Sequence, residues 1–122
     1  MIQSIIGFYP CNSLQRIHDF YHDILGLELY KDQGKCRIYK SKSGGIGFCN
    51  HLPRQPSGNI ICFVVDSEKQ VDDWFEKLNY LGVEILAKPV RKEEFSIYQF
   101  FAFDPEGNKI EFQCFLNERS DV

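Results

Sequence analysis

The chain has 122 residues and a formal charge of −3, with 14 Lys and Arg against 17 Asp and Glu dispersed along it. Apolar residues make up 43%, including 11 Phe, which is enough for one domain to build a core without staples. The lack of a basic stripe argues against nucleic acid as the main partner, and no apolar run approaches the roughly 18–20 residues of a membrane span.

The N-terminal string MIQSIIGFYPC lacks the charged start and long apolar stretch of a signal peptide. Five cysteines (Cys11, Cys36, Cys49, Cys62, Cys114) form no C-x-x-C pair. Together these features predict a cytoplasmic protein whose thiols are reduced and act mostly as small hydrophobes.

In chain order, SIIGFY reads as a strand and NSLQRIHDFYHDILG as a helix. The helix's apolar face is Leu14, Ile17, Tyr21, Ile24 and Leu25, with Asn12 or Ser13 as cap and Gly26 as stop. LELYKD, KCRIYKS and GIGFCN follow as strands, and HLPRQPSG reads as a connection. NIICFVVD is the next strand. SEKQVDDWFEKLNYLG is a second helix with Val71, Trp74, Phe75, Leu78 and Leu81 on one face, a Ser67/Gln70 capping box and Gly82 at its end. VEILAKP, SIYQFFAF and KIEFQCF complete the chain as strands.

The order is β-α-β-β-β twice, and short echoes support a duplication. LGLEL at Leu25–Leu29 returns as LGVEI at Leu81–Ile85, and IIGF at Ile5–Phe8 returns as IICF at Ile60–Phe63, at offsets of 56 and 55 residues. The expected fold is α+β: tandem βαβββ modules at 1–51 and 59–116, a linker at 52–58 and a tail at 117–122. Each module forms a small sheet with one face under its helix, and two modules form a cup-shaped mixed sheet able to hold a small molecule.

FYHDILGLEL at Phe20–Leu29, the duplication, and FFAFDPEGNKIEF at Phe100–Phe112 resemble the vicinal oxygen chelate superfamily, which includes glyoxalase I, bleomycin- and fosfomycin-resistance proteins and extradiol dioxygenases. The resemblance covers nearly the whole chain and implies the glyoxalase/bleomycin-resistance fold, which hosts several chemistries. It also implies a two-fold homodimer. In metal-binding relatives the ligands come from the first strand, the first strand of the second half and a glutamate on the last strand. Glu111 matches that glutamate. The other two positions, counted back from the caps Ser13 and Ser67, fall on Ile6 and Ile60, and a one-residue shift gives Ile5 or Ile61. Isoleucine offers no lone pair, so no metal cofactor is expected; a divalent Zn, Ni, Fe or Mn held by Glu111 with non-standard ligands is the alternative.

Strand alternation puts Gln99, Phe101, Lys109, Glu111 and Gln113 on one face, and Ile60, Cys62 and Val64 on one face of the fifth strand. The candidate ligand-binding set is Phe8, Cys62, Gln99, Phe101, Glu111 and Gln113, with Glu111 the candidate catalytic residue. Phe115, Tyr39 and Phe48 are further aromatic candidates. His18 and His22 read as solvated, and His51 as a surface-loop residue. The leading expectation is a small-molecule-binding protein of the bleomycin-resistance kind. A metal-dependent lyase, isomerase or dioxygenase of the same superfamily is the alternative, and whether the chain is an enzyme stays open.

Overall fold

A computed structural model describes residues 1–54 and 58–116. Three positions of the expected linker, 55–57, and the expected tail, 117–122, lie outside the described residues. The chain divides into two compact units, 1–57 and 58–122.

The first unit runs β1 (Ile6–Pro10), α1 (Leu14–His18), a π-helical continuation (Asp19–Ile24), β2 (Glu28–Asp32), β3 (Cys36–Lys40) and β4 (Gly45–Cys49). The second runs β5 (Ile60–Val64), α2 (Glu68–Tyr80), β6 (Val90–Lys92), β7 (Ile97–Phe103) and β8 (Lys109–Phe115). The sheet orders are β1-β4-β3-β2 and β5-β8-β7-β6, so both units have the same topology with one parallel pair each, β1·β4 and β5·β8. This is the α+β tandem expected from the sequence. Gly26 and Gly82, the shared glycines of the two LG-x-E echoes, both end their helices at left-handed φ, 79° and 77°, where a Cβ would be strained. The other echo is one residue out of step. Ile6 and Ile60 open equivalent strands, so Phe8 corresponds to Cys62, whereas aligning IIGF with IICF pairs Phe8 with Phe63.

The first helix is not uniformly α. After Ser13, whose hydroxyl accepts from the Arg16 amide at 3.1 Å, the turns widen, and the Leu25 amide donates to the Phe20 carbonyl five residues back. The extra residue rotates the buried face, so Phe20 joins Ile17 and Tyr21 in the core. α2 keeps half of the predicted capping box: Ser67 Oγ accepts from the Gln70 amide at 3.2 Å, but Gln70 Oε1 accepts from the amide of Asp66, the residue before the cap, at 2.6 Å. Its Val71 and Leu78 are fully buried, but Leu81, expected on the same face, lies at the helix end and is exposed.

The expected strand VEILAKP is corrected. The chain touches β7 there only through an Ile85–Ala102 bridge, then bends through Leu86 and Ala87 and pairs regularly from Val90 to Lys92. Pro89 has no amide proton to extend a ladder, which suits it to the residue before the strand.

The DPEGN turn between β7 and β8 is organised by Asp104. One carboxylate oxygen accepts from the Glu106 and Asn108 amides at 2.8 and 2.9 Å, and the other from Asn108 Nδ2 at 2.8 Å. A buried carboxylate is tolerated here because local donors replace water. The turn therefore fixes where β8 begins and which face Glu111 takes.

The cysteine expectation is also corrected. Cys36 and Cys49 face each other directly across β3 and β4, with Cα atoms 4.1 Å apart, and are joined by a disulfide. Cys11 and Cys114 are buried and outside that disulfide, as expected for small hydrophobes, while Cys62, also outside it, is exposed. Among the described residues no helix is long and apolar enough to cross a membrane.

Candidate functional site

In the second unit the sheet has two different faces. Ile61, Phe100, Ala102, Ile110, Phe112 and Cys114 are buried, and the rings among them pack on α2: Trp74 stacks on Phe112 at 5.1 Å and Phe75 meets Phe100 edge-on at 5.6 Å. The opposite face carries the polar groups. Register places Cys62, Glu111 and Phe101 side by side in one row, and Val64, Gln113, Gln99 and Val90 in the next. Five of the six predicted ligand-binding residues are thus brought together on β5, β7 and β8, as strand alternation requires.

Phe8 belongs to the first unit. Its ring lies across Gly47, where a Cβ would come within 2.5 Å of ring atoms, so a larger residue there would have to push the Phe8 ring aside. The matching row there, Phe8–Gly47–Ile38, is apolar until it reaches Lys31 on β2. Tyr39 and Phe48 are buried core residues of the first unit; Phe48 packs against Tyr21 at 4.7 Å, and Tyr39 hydroxyl shares a 3.0 Å hydrogen bond with His18 Nδ1. His18 is therefore half-buried and engaged rather than simply solvated. His22 stacks on it at 4.5 Å and pairs with Asp23 at 2.8 Å. His51 is exposed, as a loop residue should be.

Glu111 occupies the interior strand of its sheet and is only 8% exposed. Burial pushes its carboxyl pKa up; hydrogen bonding with Cys62 and the positive charges of Lys92 and Lys109 oppose the rise without cancelling it. Gln113 Nε2 donates to Cys62 Sγ at 2.7 Å and reaches Glu111 Oε1 at 3.5 Å. The Cys62 thiol, though its residue has an exposed side, is pushed up to about 11, first by desolvation and then by the Glu111 charge. It is a proton donor at neutral pH rather than a nucleophile. From a reference of 9.0 this means roughly a hundredfold less thiolate, so Cys62 is expected to react with iodoacetamide far more slowly than an ordinary exposed cysteine. Mass-spectrometric alkylation rates at pH 7.5 check this.

Next to this row, Lys109 Nζ lies 4.2 Å and Lys92 Nζ 4.7 Å from the Phe101 ring centre. Lys92 was missed by sequence reasoning because the sixth strand was drawn too early; the V-R-K alternation was the available signal. Gln99 is 2% exposed, and its Oε1 is a buried acceptor without a hydrogen-bond partner. A separate open cleft of about 410 Å³ lies where β5 meets α2, lined in part by Asp66, Gln70, Asp73, Trp74 and Lys77. Its polar groups are engaged locally: Asp73 with Lys69, Gln70 with the Asp66 amide, and Lys77 over Trp74. The Glu111 face, with a desolvated acid and an unmatched acceptor, is the better candidate.

The sequence profile of the Glyoxalase/Bleomycin resistance protein/Dioxygenase superfamily matches residues 4–112. The chain belongs to this superfamily. Among solved structures of the glyoxalase/bleomycin-resistance fold, a family enzyme from Burkholderia phytofirmans PsJN superposes with a TM-score of 0.80 at 18% identity, covering 91% of this chain and 97% of that one. A lactoylglutathione lyase from Agrobacterium tumefaciens gives 0.73 at 21% identity, covering 93% and 94%. A glyoxalase/bleomycin resistance protein/dioxygenase from Alicyclobacillus acidocaldarius gives 0.77 at 18% identity, covering 98% and 96%. At these identities the likeness is one of fold. Comparison with curated protein sequences gives no match.

The superfamily's metal can be tested against the residues around Glu111 in the second unit. Ile60, where a ligand is implied, has no lone pair and pairs in register with Lys109. Two ammonium groups act on the carboxylate, and Cys62 is the thiol paired beside it. Within this unit the carboxylate and the thiol are two donors, fewer than the three or four protein ligands a divalent ion usually takes. Among the described residues, two groups of three His, Cys or acidic donors lie close together, Cys36–Cys49–His51 and His18–His22–Asp23, and neither includes Glu111.

Proposed function

We propose that this member of the superfamily binds a small molecule on the Glu111 face of its second unit, without a metal there. The observation that carries the reading is Gln99 Oε1, a buried acceptor with no partner beside a desolvated carboxylate. Both groups cost free energy as they stand, and a ligand that donates to them offsets that cost. Two ammonium groups against one carboxylate leave the patch positive, and Phe101 supplies a flat apolar surface beneath them. The ligand class that fits is a small, flat molecule carrying an anionic group and at least one N–H or O–H donor.

The second reading, a metal-dependent lyase, isomerase or dioxygenase built on Glu111, has one observation in its favour: Cys62 and Glu111 are adjacent in register, so a thiolate and a carboxylate could share an ion. The two lysines beside the carboxylate and the isoleucine at position 60 weigh against it.

A thermal-shift panel on chelator-treated protein tests the proposal. Aromatic carboxylates and phosphate esters are expected to stabilise the protein where their neutral analogues do not. Lys109→Ala is expected to weaken the best of them about tenfold, or about 1.4 kcal/mol. A panel that produces no shift, or hits indifferent to Lys109, would contradict it.

A further inference from the structure

We propose that Cys36, Cys49 and His51 form a redox-gated binding site for a thiophilic metal ion, Zn²⁺ being the best fit, in the first unit. This is separate from the Glu111 face and independent of the function proposed for it. The register of β3 and β4 puts the two cysteines directly opposite each other, and C-x-H spacing brings His51 to the same place at the end of β4. One donor atom from each lies within 4.8 Å of the other two, and Cys36 Sγ is 3.9 Å from His51 Nδ1. Tetrahedral zinc with bonds of about 2.3 Å to sulfur and about 2.0 Å to nitrogen holds its donors roughly 3.5–3.8 Å apart. The nitrogen is therefore already near coordination distance, and only the sulfurs have to separate.

The surrounding backbone holds the positions of these donors. The Asn50 amide donates to the Lys35 carbonyl at 2.9 Å, and the Cys11 amide donates to the Cys49 carbonyl at 3.0 Å. The strands therefore keep the two Cα atoms in place whether or not the sulfurs are bonded. Cys49 is 2% exposed while His51 is exposed, so an ion would enter from the histidine side and keep a fourth position for water.

The gate is the disulfide itself, because both sulfurs are consumed when it forms. Reduction by two equivalents of a low-molecular-weight thiol breaks the S–S bond, gives two protein thiols and yields the small thiol's disulfide. Zinc then binds as the thiols release their protons, completing an S₂N set with His51. Oxidation by a small disulfide reverses the sequence and frees the ion.

Protein reduced with a phosphine and titrated with Zn²⁺ against a chromogenic chelator is expected to take up one equivalent. Co²⁺ in its place is expected to give thiolate charge-transfer absorption. Oxidised protein should lose this binding, and His51→Ala, a change in an exposed turn, should weaken it at least about tenfold. Cys62→Ala and Glu111→Gln should leave it unchanged. The proposal is overturned if reduced protein takes up no stoichiometric zinc, if oxidised protein binds equally well, or if His51→Ala has no effect while its circular dichroism matches the wild type.

Discussion

Glu111→Gln is expected to melt at a higher temperature than the wild type at pH 7 while losing the ligand response of the protein, with affinity falling at least about tenfold. Both effects follow from one fact. Burial holds the Glu111 carboxyl pKa above its ordinary value of 4.5, so ionisation at neutral pH destabilises the folded state. The sign is fixed by proton binding: between the unfolded and folded pKa values the native state holds more protons, so stability falls as pH rises through that window. Glutamine is close in shape, keeps a carbonyl oxygen for Gln113 and carries no charge to desolvate. Its advantage should therefore shrink as pH falls and vanish below about pH 4.5, where the carboxyl is protonated in both states. Differential scanning calorimetry of the two proteins from pH 3.5 to 8 reads this directly. A variant less stable than wild type at pH 7 would place Glu111 among the residues that hold the fold together.

Phe112→Ala is expected to cost about 3–5 kcal/mol, the largest stability effect of any single change considered. Phe112 is 2% exposed and lies at the centre of a cluster, with Phe63 and Trp74 each at 5.1 Å and Phe100 at 5.4 Å between ring centres. Truncation removes the contact that joins α2 to β8 and leaves a cavity that three rings cannot all collapse into. Urea denaturation should show a lower midpoint; a cost under about 1 kcal/mol would mean that the rings repack freely. The contrast with Glu111, one residue away, is the useful part. Neighbours on β8 point to opposite faces, one packed on α2 and the other carrying the proposed binding site.

Much of the candidate site was legible because strand alternation is local. Gln99, Phe101, Glu111 and Gln113 share a face by a period of two, and Cys62 joins them through the parallel pairing of β5 with β8. Other features depend on information that no local pattern holds. Tyr39 and Phe48 were candidates by residue type, yet alternation does not say which face a helix covers, and both lie on the helix side of the first unit. Lys92 was hidden by a strand drawn through Val83–Pro89, where apolar residues mark a segment that bends instead of pairing. Cys36 and Cys49 are 13 residues apart and meet only through the β3–β4 register, so counting thiols by spacing predicted them free. The widened first helix likewise kept its apolar positions in sequence but moved Phe20 inward.

The central claim is that the Glu111 face binds its ligand without a metal. It is tested most directly by measuring the thermal shift from the best-stabilising anionic ligand for wild type and Glu111→Gln, each with and without prior chelation. The account predicts the same ligand-induced shift in wild type whether or not metal has been stripped, and none in Glu111→Gln. A wild-type shift that chelation abolishes and added Zn²⁺ or Mn²⁺ restores would contradict it.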